Sequence, residues 1–130
     1  MRSFSVRSGN LTLECRLIPS GRDLNVTVTG GSSPHIGSVS LAVPRPSLRG
    51  DGSTSATVST LNLTGHKDGE LGDEFARALS SVLNCVTVVT CGVHTDGLDA
   101  AGIETYRSLA ESLRAEVLSE MKKEMPFDGA

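Results

Sequence analysis

The chain has 130 residues, a formal net charge of −3, 38% hydrophobic and 21% charged residues. That balance describes a single globular domain with a real core, too short for two, and its mild acidity excludes the basic surface of a nucleic-acid binder. With Phe4, Phe75, Phe127 and Tyr106 as its aromatics and no tryptophan, the chain supplies no stacking platform for bases or sugars.

The first half alternates with period two, the signature of half-buried strands. Phe4 and Val6 mark a first strand that breaks at Ser8-Gly9-Asn10. Leu11, Leu13, Cys15 and Leu17 share one face of the second, and Pro19-Ser20-Gly21-Arg22 turns the chain into a third carrying Leu24, Val26 and Val28. A glycine-rich turn follows, then a fourth strand in which Val39, Leu41 and Val43 alternate with serine and alanine. Pro44 to Ser53, with two prolines, two glycines and two arginines, reads as a mobile loop. A fifth strand spans roughly 54–63.

The second half changes period. Leu71, Phe75, Ala78, Leu79 and Val82 fall at helical spacing from Glu70 to Leu83, with Glu70, Asp73 and Glu74 at the dipole-favoured start and Asn84 placed to end the helix. Cys85 to Cys91 is apolar on both faces and predicts an interior strand covered on two sides. The last helix runs from about Asp99, a plausible N-cap, to Glu124, with a stripe of Ile103, Tyr106, Leu109, Ala110, Leu113, Val117 and Met121.

These elements predict an α+β domain over 1–125 with a frayed tail at 126–130. Its sheet is mainly antiparallel, a five-strand meander plus one strand after a crossover helix, with two helices packed on it. No run approaches the ~18–20 apolar residues of a membrane span, and the N-terminus lacks an apolar leader, so no membrane contact is expected. Cys15, Cys85 and Cys91 are odd in number and sit in strand-like runs. They read as buried free thiols of a cytoplasmic protein.

All three histidines lie in glycine-flanked turns: Gly30-Gly31-Ser32-Ser33-Pro34-His35-Ile36-Gly37, Gly65-His66-Lys67-Asp68-Gly69, and Cys91-Gly92-Val93-His94-Thr95-Asp96-Gly97. In the predicted topology the third and fifth strands end on one edge, the fourth begins there, and a sixth strand parallel to the fifth ends beside them. All three turns then share a rim.

Three chemistries compete for that rim. His35, His66 and His94 supply a three-nitrogen zinc set with an open position, although no short metal-ligand spacing supports it. Gly30, Gly31, Ser32 and Ser33 have the composition of an anion-binding nest, with Lys67 in a neighbouring turn and a helix start after Asp68. Ser32 or Ser33 with His35 and Asp68 or Asp96 can be drawn as a hydrolytic triad, but no nucleophile elbow is present. The acidic cluster at 70–74 is most simply a solvated helix start, and Phe75 and Tyr106 are most simply core.

The string Gly30-Gly31 … Pro34-His35-Ile36-Gly37, then Gly65-His66-Lys67-Asp68-Gly69-Glu70-Leu71, then Gly92-Val93-His94-Thr95-Asp96, resembles the prenylated-flavin chaperone-like (LpdD-like) family, the small D-type accessory subunits of gallate-type decarboxylases. The resemblance runs from about Leu24 to Leu118. It implies a fold similar to proteasome assembly chaperones, often paired as homodimers. It also implies a non-catalytic role: binding or delivering prenylated FMN to a flavin-dependent aromatic-acid decarboxylase, or stabilising that partner. Gly30 to Ser33 and Lys67 are then candidates for the phosphate. His35, His66 and His94 are candidates for the polar ring atoms, and Asp68 belongs to the same cofactor-binding set. The enzyme alternative is a metal-dependent hydrolase or lyase at the three histidines, and the structural one is a pure assembly protein.

Overall fold

The structure, a computed structural model, describes residues 1–63 and 68–125. Its elements are β1 (Arg2–Ser8), β2 (Leu11–Ser20), β3 (Asp23–Gly31), β4 (Ser38–Pro46), β5 (Thr54–Asn62), α1 (Gly69–Leu83), β6 (Thr87–His94) and α2 (Ala100–Glu124). His66, Lys67 and the 126–130 tail lie outside the described residues.

The first three strands form antiparallel hairpins whose turns are made by Gly9 (φ 60°) and Gly21 (φ 63°), a left-handed backbone that glycine adopts without a Cβ penalty. The α+β class with two helices on a mostly antiparallel sheet is as expected, but the sheet order is β1-β2-β3-β6-β4-β5. β6 is inserted between β3 and β4, parallel to the first and antiparallel to the second. It points the same way as β5, yet the meander is split where β3 and β4 would have met. The physical reason is burial. The run Cys85 to Cys91 is the most continuously apolar of the strands and takes the central position, leaving β5 at an edge.

Register places Cys15, Val28, Cys91 and Ser38 in one row across four strands, all buried. That row faces the helices. α1 lies over β4, β5 and β6, and α2 over β1 and β2. The core between sheet and helices is built on Leu13, Leu17, Val89, Phe75, Leu79, Leu113 and Val117, each fully buried. Asn84 closes α1 in the left-handed conformation, its N–H donating to the Ser80 carbonyl. Asp99 caps α2 by accepting from the Gly102 N–H at 2.8 Å.

Three expectations are corrected here. β6 is interior within the sheet but covered on one face only: Thr87, Val89 and Cys91 are buried, while Val88 and Thr90 are half-exposed on the open side. In β4 the small residues Ser38, Ser40 and Ala42 face α1, leaving Leu41 and Val43 on the open face. The cause is close packing: a Cβ on Gly72 of α1 would lie 3.1 Å from Ser40 Oγ, so nothing larger than serine fits beneath the helix there. The predicted 44–53 loop is shorter and tied. β4 continues through Pro46, and Ser47 N–H donates to Ser53 O (2.8 Å) and Ser53 N–H to Asp51 Oδ1 (3.0 Å).

All three cysteines are free and buried. Burial, with the charge of Glu14 second, pushes the Cys15 thiol from an ordinary 9.0 to about 12, and burial raises Cys91 and Cys85 as well. A thiol whose folded-state pKa is raised binds its proton more tightly when folded. Its stability contribution is therefore intact below pH 9.0 and lost as pH rises toward about 12. Denaturant midpoints are expected to fall across that window, and less steeply in Cys15→Ala than in the parent. Within the core, Leu113→Ala is expected to cost about 2–5 kcal/mol in chemical denaturation, whereas Ile103→Ala, at an exposed position, stays within about 0.5 kcal/mol.

Candidate functional site

Inserting β6 between β3 and β4 forces the chain leaving β3 to arch over the end of β6 before it enters β4. The arch is residues 32–37, and it is stitched down at both feet. Ser32 and Ser33 N–H both donate to the His94 carbonyl (2.9 and 3.3 Å), and Gly37 N–H donates to Cys91 O (2.8 Å). Beneath it a Cβ on Gly92 would lie 1.8 Å from the His35 carbonyl oxygen, so only glycine lets the arch sit this low.

His35 hangs from the arch. Its Nδ1 lies 2.9 Å from the Ser33 carbonyl, which can only accept, so Nδ1 carries a proton. Nε2 lies 3.3 Å from Asp68 Oδ2. Asp68 precedes α1 in the N-cap position, but its side chain does not cap the helix. Instead the buried carboxylate accepts the Val93 N–H at 3.0 Å through Oδ1, beyond the point where β4 stops pairing with β6. A Cβ on Gly37 would fall 2.0 Å from Asp68 Oδ2, so this contact too depends on glycine. One carboxylate therefore joins the start of α1, the end of β6 and the arch.

The structure thus brings Gly30 to Ser33, His35, Asp68 and His94 to one rim. Gly31 is paired with His94 across the β3–β6 ladder. The imidazoles are held by different carboxylates. His94 Nε2 lies 2.7 Å from Asp96 Oδ1 and its side chain is half-exposed. The Ser32 and Ser33 amides, candidates for a phosphate nest, are engaged by the His94 carbonyl. Among the described residues no group of three or more His, Cys, Asp or Glu side chains is placed to hold a metal ion. His66, third of the zinc set, and Lys67, the phosphate candidate, lie outside the described residues.

Beside the rim opens a cleft of about 700 Å³. Its sheet end is formed by Leu13, Asp68, Val93, His94, Leu98 and Tyr106, and it continues between α1 and α2 past Glu70, Glu74, Glu111 and Arg114. Tyr106, expected in the core, is half-buried instead, its hydroxyl 2.6 Å from Thr95 Oγ1. Ile103, expected in the buried stripe, is 52% exposed at the cleft wall. Sequence reasoning missed this wall of α2 because the stripe continues unbroken from residues that overhang the cleft to residues that reach the core. The available signal was that arginines and glutamates adjoin it at 107, 111 and 114.

Comparison with known proteins follows the same lines. The family model described as prenylated flavin chaperone LpdD-like domain matches residues 7–122. A curated relative, Protein LpdD of Lactiplantibacillus plantarum, is 25% identical over 128 residues, covering 92% of this chain and 84% of that protein. A chain from the crystal structure of a chaperone complex for yeast 20S proteasome assembly superposes with a TM-score of 0.59 at 17% identity, covering 95% of each chain, which shows a shared fold. With a rim and cleft built by the segments that the family model spans, the chain belongs to the prenylated flavin chaperone LpdD-like family.

Proposed function

We propose that this protein handles prenylated FMN on behalf of a flavin-dependent aromatic-acid decarboxylase, holding the cofactor at the histidine rim with its ring system at the sheet end of the cleft. The observation that carries the reading is the family match over 7–122 together with a 700 Å³ cleft whose sheet end is lined by Asp68 and His94 of the rim. The whole cleft, sheet end and helical part together, falls within the range of small-molecule sites, about 300–1,000 Å³. The fit has two parts. Leu13, Val93, Leu98 and the Tyr106 ring offer an apolar wall for fused rings and a prenyl-derived ring. His94 offers a polar partner at the sheet end, and Lys67, next to Asp68 in the sequence, is the candidate cation for a phosphate. Prenylated FMN, once delivered, supplies the electron sink of the partner's decarboxylation. This chain's task is to bind it, shield its rings from water and release it.

The open face of the sheet carries exposed Leu41 (40%), Val43 (46%) and Leu61 (75%), apolar area that a single chain leaves in water. A second copy packed there accounts for it. Leu41→Glu with Leu61→Glu is expected to convert a dimer to a monomer in sedimentation, with the flavin-binding rim unaffected.

Titrating prenylated FMN or FMN into the purified chain, alone and with its decarboxylase partner, is expected to give saturable binding at or below about 100 μM. Absence of binding in both arms would overturn the reading. His94→Ala and Lys67→Ala are each expected to weaken binding about fivefold, the loss of one hydrogen-bonding partner. Asp68→Ala tests the frame rather than the ligand. It leaves the half-buried Val93 N–H without its acceptor, is expected to cost about 1 kcal/mol of stability, and to lower hydrogen-exchange protection at Val93.

A further inference from the structure

The helical part of the cleft is chemically unlike the rim. Glu70 and Glu74 stand one turn apart on α1, facing Arg107, Glu111 and Arg114 on α2. Arg114 is neutralised by Glu74 at 2.9 Å, and Arg107 lies 3.7 Å from Glu104, a residue outside the cleft. Glu70 on one wall and Glu111 on the other have no ion pair among the described residues, and the three glutamates lining this part outnumber its two arginines. Leu71, Ala110 and the half-exposed Ile103 supply apolar surface in the same cleft. A chain segment that presents an apolar side chain flanked by lysine or arginine matches both the floor and the walls.

The geometry points to this groove as the docking site for a basic, apolar-anchored segment of a protein partner, seated beside the cofactor rim with which it shares Asp68 and His94 at its sheet end. The inference rests on the proposed function only for who the partner is, a decarboxylase subunit. The charge argument stands without it. Long-range attraction between the two glutamates and a basic segment raises the encounter rate, and the apolar contacts hold the complex once formed.

The chain provides its own reporter, since Tyr106 is the sole tyrosine, lines the cleft, and no tryptophan masks it. The probe is a synthetic amphipathic peptide of leucine and lysine, without aromatic residues, and its leucine–glutamate counterpart. The lysine peptide is expected to change Tyr106 emission saturably, more weakly at high salt, while the glutamate peptide leaves it unchanged. Glu70→Gln with Glu111→Gln is expected to weaken the lysine peptide about tenfold, and Ile103→Ser, at an exposed position that does not threaten folding, to weaken it independently. Equal response to both peptides, no response to either, or undiminished binding by the double variant overturns the inference. So does loss of FMN binding in the Glu70→Gln/Glu111→Gln protein, which would make the glutamates part of the cofactor seat. Failure of FMN to bind the parent chain counts against the cofactor reading alone, because the peptide arm contains no flavin.

Discussion

The carboxylate of Asp68 is the contact on which the rim depends, because it answers a problem that the topology creates. A strand threaded between β3 and β4 lacks a neighbour on one side where the connecting segment climbs over it, and the Val93 N–H would be left without an acceptor. At a half-buried position such as Val93, an amide without a partner costs about 1 kcal/mol. Asp68 supplies the acceptor from the start of α1 and turns its second oxygen toward His35 on the arch. Placing a carboxylate in a buried site is itself unfavourable unless it has polar partners, and here Asp68 accepts the Val93 N–H and lies 3.3 Å from His35 Nε2. Crossover, arch and helix start are therefore a single arrangement, and moving one moves the others.

Local features of this fold were legible in the sequence because they are set by local physics. Period-two alternation identified β1 to β3, the helical stripe identified α1 and α2, and Asn84 and Asp99 end and begin helices as their side chains suggest. The convergence of two histidine turns on one edge was also legible, since it follows from strand directions, and those hold. Strand order was not. Whether β6 flanks β5 or enters between β3 and β4 is decided by how much apolar surface each position buries, a non-local comparison. The inverted face of β4 was hidden for a related reason. Alternation reveals that two faces differ, but only the close approach of Gly72 to Ser40 determines that the small face is the inner one.

The candidate site was legible in its polar half and not in its apolar half. Glycine-flanked histidines attract notice because both residue types carry backbone or proton chemistry that packing rarely requires. The cleft wall contributed by α2 consists of residues that look like ordinary core, and Tyr106 differs from Leu109 only in reaching less deeply. A ligand surface continuous with a hydrophobic core has no signature of its own in a sequence. It becomes visible only when the end of a helix is seen to project past the sheet it covers.

The two halves of the cleft also bear on how holding a cofactor and meeting a partner can be joined in so small a protein. If the proposed cofactor sits at the rim, its phosphate adds negative charge beside a groove that already carries Glu70 and Glu111, and a basic segment entering the groove lowers that repulsion. Each ligand then favours the other, and by linkage the coupling is the same in both directions. A partner that takes the cofactor away reverses the balance, since the groove loses the added charge and its hold on the basic segment weakens. Release of the emptied chaperone would follow from electrostatics alone, without any change in the fold, because His35, Asp68 and the arch remain where the crossover of β6 has set them.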